Sequence, residues 1–162
     1  MSKEAPLVIC VCTANICRSP MAEKLLEHAL KNEDAPLKNV KVISAGVSAW
    51  DGEPASPNSV KALQKVGINL VMHRSQELTR DLMNKATLVL AMTNSHLHMI
   101  NQFFPESKAQ VMLIRDLLPT PADNQIPDPW GTDLKSYEEC RDSIVEAIPS
   151  IVTHLKLLLS EE

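Results

Sequence analysis

Two side chains near the start of the sequence have the types and the spacing of a nucleophilic site. Cys12 supplies a thiol, Arg18 supplies a guanidinium six positions later, and Ser19 adds a hydroxyl directly after it. A thiol attacks as its thiolate, which a neighbouring cation and a helix N-terminus both favour. A guanidinium can bind two oxygens of a tetrahedral oxyanion at once. The pattern predicts attack of Cys12 on the central atom of such an oxyanion, for example phosphorus, with Ser19 stabilising the sulfur as it leaves.

The residues around this pair predict the local structure that positions it. Residues 7–11 are apolar and mostly β-branched, which indicates a buried strand. Residues 13–15 are small or polar, as in a turn, and residues 19–23 carry the Ser-Pro and acidic signals of a helix start. A strand that enters a helix through a tight turn directs backbone N–H groups and the positive end of the helix dipole into one small space. The sequence therefore predicts an anion site here.

The size and composition of the chain limit its class. The 162 residues are 44% hydrophobic and 22% charged, which predicts one globular domain over residues 1–162. The net charge of −4 does not favour nucleic acid or an anionic membrane as a partner. The sequence has no apolar run of the ~18 residues that a membrane span needs, and no signal-peptide core near its N-terminus. We therefore expect a cytoplasmic protein that is not inserted in a membrane.

The distribution of the four cysteines agrees with a reducing compartment. Cys10, Cys12 and Cys17 are close together and Cys140 is far away, whereas a secreted disulfide framework spreads its cysteines more evenly. The cluster lacks the Cys-x2-Cys spacing of a zinc knuckle, and the histidines are not at ligand-like spacing. We expect neither a metal nor another cofactor.

The rest of the chain alternates between helical and strand patterns. This alternation predicts an open α/β sheet of four parallel strands flanked by helices, with the site at the carboxyl end of the first strand. Pro149 is expected to kink or split the last helix. The predicted strands after the first are 40–44, 86–92 and 111–114, and the predicted helices are 21–31, 59–66, 81–85, 94–104 and 134–159.

The segment from Cys12 to Glu23 resembles the signature loop of the cysteine-dependent protein tyrosine phosphatases. The Cys-x5-Arg-Ser spacing, its place near the N-terminus and the extension over residues 15–23 are similar to the low-molecular-weight branch. The resemblance implies a three-layer flavodoxin-like fold with strand order 2-1-3-4. It also implies a phosphate-binding loop made of Thr13, Ala14, Asn15, Ile16, Cys17, Arg18 and Ser19.

The resemblance implies roles for two residues outside this loop. The family carries a histidine near the position of His73, in a hydrogen-bond network that supports the loop through its Asn and Ser, here Asn15 and Ser19. A loop with an aromatic side chain borders the mouth of the site in the family. Trp50, in the Gly- and Pro-containing segment 47–57, is therefore a candidate contact of the substrate ring.

Asp128 is the candidate general acid. Prolines on both sides restrict its backbone and so fix the direction of the carboxyl. A phosphoester leaving group must be protonated, and a positioned carboxyl can contribute ~10²–10⁴-fold to that step. The Asp-Pro-aromatic element resembles the family's acid loop, which favours Asp128 over Asp123 and Asp133. Trp130 stands where that loop often carries a tyrosine and is a candidate wall of the substrate pocket.

One loop residue bears on the substrate. The bacterial protein-arginine phosphatases of this family carry a Thr just before the second loop cysteine, whereas this sequence has Ile16, as the tyrosine phosphatases do. Thr13 and the segment 91–93 look more like the arginine branch. Because Ile16 should lie in the phosphate loop itself, we expect a phosphotyrosine-containing protein as the substrate, with phosphoarginine as the alternative.

Two rival hypotheses come from other classes. Arsenate reductases share the fold and the loop but resolve their cysteine adduct with further thiols, and this sequence has no cysteine between residues 18 and 139. A redox-controlled phosphate-binding module is the other rival, since Cys12 and Cys17 resemble the pair that forms a reversible disulfide in the family. A pure binder has no need of a positioned acid such as Asp128. The Trp50 loop could mediate weak self-association, so we expect a monomer or a weak homodimer.

Overall fold

The computed structural model describes residues 5–119 and 124–160 of the chain. Strands and helices alternate along this part of the chain, as the sequence predicts. The strands are β1 (Leu7–Cys12), β2 (Lys41–Gly46), β3 (Leu88–Ala91) and β4 (Gln110–Leu113). The α-helices are α1 (Arg18–Lys31), α2 (Pro57–Gln64), α3 (Arg80–Lys85), α4 (Asn94–Phe103) and α5 (Leu134–Ser160), with a short 3-10 helix at Leu37–Asn39.

The four strands form one parallel sheet in the order β2-β1-β3-β4. This confirms the predicted order 2-1-3-4. β1 lies in the interior of the sheet, and all six of its residues are buried. Its last residue, Cys12, is in register with Gly46 at the end of β2. From β1 the chain first adds β2 on one side and then β3 and β4 on the other side. Open α/β sheets form their sites where this direction changes, here between β1 and β3.

The helices cover both faces of the sheet and confirm the three-layer arrangement. Alternate residues of β1 point to opposite faces, as strand geometry requires. Val8 and Cys10 join the larger hydrophobic cluster, to which α1, α2 and α5 contribute. Ile9 and Val11 join a second cluster with residues of α3 and α4. Because both faces are covered, the buried strands can be almost continuously apolar.

The last helix runs through Pro149 as one element, so of the two predicted effects, a kink or a split, the split does not occur. A proline removes one helix hydrogen bond and leaves the carbonyl of residue 145 without its donor. Pro149 and Val145 are both exposed, so water can solvate that carbonyl. α5 is long and apolar enough to cross a membrane by length and composition, a test that core helices also pass. Eight of its residues are buried, and it packs against α1 and α2.

Strand β2 extends two residues beyond its predicted end at 44. Gly46 is paired with Cys12 on one side, and on the other side its N–H donates to the Gln76 carbonyl at 2.9 Å. The N–H of Leu78 donates to the Gly46 carbonyl, also at 2.9 Å. These bonds hold Gly46 extended, and they bring the segment around Gln76 to the edge of the candidate site.

Candidate active site

The loop between β1 and α1 is held by three backbone hydrogen bonds from the segment that follows β2. The N–H of Val47 donates to the Cys12 carbonyl at 3.0 Å, and that of Ser48 donates to the Thr13 carbonyl at 2.9 Å. The N–H of Ser56 donates to the Ile16 carbonyl at 2.8 Å. These carbonyls therefore point away from the centre of the loop, as an anion site requires.

Two backbone features give the loop its tight curvature. Asn15 has a φ of 60°, the left-handed conformation that asparagine tolerates better than most residues. Gly46 approaches the loop so closely that a Cβ at this position would lie 2.4 Å from the Thr13 carbonyl oxygen. Such a Cβ would also lie 3.0 Å from the Asn15 nitrogen, so only glycine leaves room for the loop.

A chain of oriented hydrogen bonds ends on the candidate nucleophile. The N–H of Gln76 donates to Asn15 Oδ1 at 3.0 Å, which fixes the direction of the amide. Asn15 Nδ2 donates to Ser19 Oγ at 2.8 Å, and this oxygen lies 2.9 Å from Cys12 Sγ. Since Ser19 Oγ accepts from Asn15, its own hydrogen is free to donate to the sulfur. The N–H of Ser19 adds a longer bond of 3.5 Å to Cys12 Sγ. Both groups can therefore donate hydrogen bonds to the Cys12 sulfur.

His73 supports the same loop through its backbone. Its Nε2 lies 2.7 Å from the Asn15 carbonyl oxygen, which can only accept, so Nε2 carries the hydrogen. The side chain is buried, and burial lowers the pKa of His73 below its usual value, with smaller opposing effects that include the bond to Asn15. The structure thus brings His73 to Asn15 directly, and to Ser19 only through Asn15.

Arg18 is buried at the N-terminus of α1 and faces the segment that follows β4. Its Nη1 donates to the Ile126 carbonyl at 2.9 Å, and its Nη2 lies 3.8 Å from Asp128 Oδ2. Its Nε has no protein partner, and among the described residues it is the one buried side-chain nitrogen or oxygen of this kind. A buried guanidinium with a spare N–H can donate to a bound anion.

Asp128 lines the same cavity as Cys12 and is about half exposed, at 54% of its side chain. Its Oδ1 accepts the N–H of Trp130 at 3.0 Å, which restrains the carboxyl. Asp133 instead accepts from the backbone and side chain of Ser136 in the first turn of α5, and these bonds lower its pKa. Asp123 lies outside the described residues.

The loop, Arg18 and Asp128 surround one cavity of about 170 Å³. Trp130 lines this cavity, whereas Trp50 does not: it is 82% exposed beside a separate depression formed with Asp51 and Glu77. The structure therefore does not bring Trp50 to the phosphate loop. The cavity is lined by Cys12, Thr13, Ala14, Ile16, Cys17, Arg18, Asp128 and Trp130.

Cys17 lies on the same cavity but is tied to the neighbouring helices. Its Sγ lies 3.5 Å from both Ser56 Oγ and Tyr137 Oη, and Ser59 Oγ donates to its carbonyl at 3.1 Å. Burial raises the pKa of the Cys17 thiol, although the bonds to Ser56 and Tyr137 lower it. Cys17 is therefore a weaker nucleophile at neutral pH than an exposed cysteine. It is a free thiol in this structure.

His96 is a residue of the site that the sequence did not reveal. It is buried in the first turn of α4, with Nε2 2.8 Å from Thr13 Oγ1 and Nδ1 3.1 Å from Thr93 Oγ1. Burial, and to a lesser extent the charge of Arg18, lower the pKa of His96 to about 4, so the ring is neutral at pH 7. The Thr-x-x-His spacing in the sequence is a signal for the helix cap at Thr93. The contact of His96 with Thr13 joins residues 83 positions apart, so no local sequence pattern predicts it.

The sequence is similar to proteins of one family along nearly its whole length. It matches the family described as "Low molecular weight phosphotyrosine protein phosphatase" over residues 7–159. It is 38% identical over 149 residues to a protein-arginine-phosphatase of Geobacillus stearothermophilus, covering 92% of this chain and 95% of that protein. It is 32% identical over 131 residues to the low molecular weight protein-tyrosine-phosphatase Etp of Escherichia coli K12, covering 81% and 82% of the two chains.

A solved structure agrees with these sequence relationships. The YwlE arginine phosphatase from Geobacillus stearothermophilus superimposes with a TM-score of 0.83 at 36% identity, covering 97% of both chains. The matched region contains β1, the phosphate loop and the segment with Asp128. The chain therefore belongs to the low molecular weight protein tyrosine phosphatase family, and it is a cysteine-dependent phosphatase.

Proposed function

We propose that this enzyme hydrolyses phosphotyrosine in proteins through a cysteinyl-phosphate on Cys12. The observation that carries the proposal is the apolar wall beside the nucleophile, where Ile16 lines the cavity together with Trp130. These side chains suit the flat, apolar ring of phosphotyrosine, because they can pack on it without leaving polar groups unpaired.

In the first step, the Cys12 thiolate attacks phosphorus and the P–O bond to the tyrosine oxygen breaks. Arg18 and the N–H groups of the loop bind the phosphoryl oxygens, whose charge is most effectively stabilised in a buried site. Asp128, protonated at the start, gives its proton to the leaving phenol oxygen. The distance of 3.8 Å between Arg18 Nη2 and Asp128 Oδ2 supports these roles, because acid and oxyanion donor must both reach the same phosphoryl group.

In the second step, water attacks the cysteinyl-phosphate and the S–P bond breaks. Asp128, now ionised, accepts a proton from this water. The electron pair returns to Cys12, where the Ser19 hydroxyl can donate to the developing thiolate over 2.9 Å. Phosphate then leaves, and both catalytic groups have returned to their initial protonation states.

Phosphoarginine is the second candidate substrate, favoured by the relatives named protein-arginine-phosphatase at 38% identity. Its guanidinium carries N–H donors that need acceptors when buried. Asp128 offers such an acceptor, but Ile16 offers none. We infer that the wall at Ile16 disfavours phosphoarginine, since a polar group facing an apolar wall loses its hydrogen bonds to water.

The test is kcat/KM on matched phosphotyrosine and phosphoarginine peptides, with Cys12→Ser as the blank. We expect the phosphotyrosine peptide to be preferred. Preference for phosphoarginine would show that Ile16 is not the discriminating residue, although the enzyme would remain a phosphatase. Hydrolysis of neither peptide under reducing conditions would contradict the assignment of both substrates.

The substitution Ile16→Thr examines the wall directly. It should shift the ratio of the two kcat/KM values toward phosphoarginine, by about tenfold if one good hydrogen bond is gained. Ile68→Thr is the matched control, because Ile68 is also half-buried against the core but does not line this cavity. An equal shift in both variants would mean that the wall does not act through contact with the substrate.

We further propose that Cys12 and Cys17 form the reversible disulfide expected of the family under oxidation. Both thiols line one cavity, which supports the pairing. The raised pKa of Cys17 argues for slow formation, since exchange needs the thiolate. Peroxide treatment followed by a reductant should restore activity in the wild type, and Cys17→Ser should lose that recovery. Recovery in both proteins would contradict the pairing.

A further inference from the structure

The first turn of α4 forms a hydrogen-bonded line into the phosphate cavity. Its members are the Thr93 hydroxyl, the His96 imidazole and the Thr13 hydroxyl, joined at 3.1 Å and 2.8 Å. His96 is 3% exposed, so both ring nitrogens depend on these two partners. Thr13 is exposed and lines the cavity beside Cys12.

We assign the direction of these hydrogen bonds from the helix cap, taking the tautomer in which Thr93 donates to the imidazole. Thr93 is the N-cap of α4, and its Oγ1 accepts the N–H of His96 at 3.4 Å. The Thr93 hydroxyl then has its hydrogen available for Nδ1 of the same residue. A neutral imidazole that accepts at Nδ1 carries its hydrogen on Nε2, which donates to Thr13 Oγ1. The hydrogen of the Thr13 hydroxyl is left to donate elsewhere.

We propose that the Thr13 hydroxyl donates a hydrogen bond to a phosphoryl oxygen of the substrate, and that His96, capped by Thr93, is the positioning residue that fixes the hydroxyl in this direction. The donor adds to those of Arg18 and the loop amides. It acts on the phosphoryl group, so it serves whichever phosphoamino acid is the substrate. The inference rests on the phosphatase site described above.

The same turn of α4 also holds the segment that carries the acid. The N–H of Asn94 donates to Gln125 Oε1 at 2.8 Å, three residues before Asp128. One helical turn therefore contacts the phosphate loop through His96 and the acid segment through Asn94.

Three variants test the proposal by the dissociation constant of inorganic phosphate, measured by calorimetry, and by kcat/KM on para-nitrophenyl phosphate. Thr13→Val keeps the shape and removes the hydroxyl, and it should weaken phosphate binding about tenfold, as expected for one bond to a charged acceptor. His96→Ala should weaken it to a similar extent. His96→Gln, whose amide can donate near the position of Nε2, should recover most of the loss.

The double variant Thr13→Val/His96→Ala distinguishes positioning from independent effects. If His96 acts through Thr13, the double variant binds phosphate no more weakly than either single variant. His98→Gln is the control for a histidine change on the same helix, since His98 is exposed. Thr79→Val is the control for loss of a threonine cap, since Thr79 caps α3 through the N–H of Leu82. Both controls should bind phosphate like the wild type.

Three results would overturn the inference. One is an unchanged phosphate affinity in Thr13→Val, and another is additive loss in the double variant. The third is a loss on a phosphoarginine peptide with no loss on inorganic phosphate, which would mean that Thr13 contacts the amino acid and not the phosphoryl group. If His96→Ala does not fold, the comparison of Thr13→Val with His96→Gln decides. If neither phosphopeptide is hydrolysed, the binding of inorganic phosphate can still be measured. The proposed function and the role of Thr13 and His96 can therefore fail independently.

Discussion

At the scale of single residues, the site is a set of donors with fixed directions. Gln76 orients Asn15, Asn15 orients Ser19, and Ser19 can donate to Cys12. Each group in this series of hydrogen bonds depends on the next, so removal of one leaves a hydrogen-bond donor or acceptor of its neighbour without a partner. The chemical role of a residue here follows from its partners as much as from its type.

Substitution of Asp128 by Asn should reveal which step needs the carboxyl. We expect kcat to fall ~10²–10⁴-fold for phenyl phosphates with strongly basic leaving groups, and much less for activated ones, because only the former need a proton. Across a series of aryl phosphates, kcat/KM should therefore depend more steeply on leaving-group pKa in Asp128→Asn than in the wild type. Asp133→Asn, which alters a helix cap away from the cavity, is the control. Equal losses across the series would exclude a role for Asp128 as the acid.

Substitution of Ser19 by Ala should slow the second step more than the first. The variant loses the hydroxyl that donates to the Cys12 sulfur as the S–P bond breaks. Removal of one bond to a charged group corresponds to roughly a tenfold or larger loss. Rapid mixing with para-nitrophenyl phosphate should then show a burst of nitrophenol followed by slow turnover. A variant with slow turnover and no burst would place the role of Ser19 in the first step.

At the scale of elements, the site depends on where chain segments meet. β1 delivers Cys12, and the end of β2 packs so closely on the loop that Gly46 has no room for a side chain. α4 contributes His96, which is distant in the sequence. The phosphate loop is thus stabilised by elements on both sides of β1.

The variant Gly46→Ala should disrupt the loop and abolish most activity. Its Cβ would meet the Thr13 carbonyl oxygen at 2.4 Å and the Ala49 Cβ at 2.8 Å, contacts that only a shift of backbone can relieve. Gly67→Ala is the matched change, since Gly67 has a φ of 80° and open space around its Cβ position. It should cost about 1 kcal/mol of stability with unchanged kcat/KM. Full activity in Gly46→Ala would contradict the close packing.

Local sequence patterns made most of these helices and strands predictable, whereas contacts between residues distant in the sequence could not be predicted. The β-branched run of β1 and the Ser-Pro start of α1 are local signals: β1 ends one residue beyond its predicted end, and α1 begins three residues before its predicted start. The contacts of His96 with Thr13 and of Gly46 with Gln76 depend on sheet pairing, which single segments do not encode. For Trp50, an aromatic residue in a loop predicts a contact without specifying the partner, and in the structure Trp50 lines a depression separate from the phosphate cavity.

At the scale of the whole molecule, burial of histidines couples stability to pH. His96 and His73 are both buried, and burial lowers the pKa of each. In the unfolded chain these groups bind protons at a higher pH than in the folded protein. The free energy of unfolding therefore decreases as the pH falls below the ordinary histidine value of about 6.5.

The contribution of His96 can be isolated by comparison with His96→Gln. Its pKa of about 4 implies a loss of roughly 3 kcal/mol between pH 7 and pH 4 in the wild type. Denaturant unfolding at a series of pH values should show the wild type losing more stability than the variant over this range. Parallel curves for the two proteins would mean that His96 does not titrate as its burial requires.

The central claim is that Cys12 carries the phosphoryl group during turnover. The most direct measurement is acid quenching of Asp128→Ala during hydrolysis of para-nitrophenyl phosphate, followed by mass spectrometry of the peptide that contains Cys12. The activated leaving group needs no acid, while the water that attacks the intermediate lacks its base, so the cysteinyl-phosphate should accumulate. We predict one phosphoryl group on Cys12 and none at this position in Cys12→Ala, which has no side-chain nucleophile there. Continued turnover with no phosphoryl group on Cys12, or its appearance on another residue, would contradict the account.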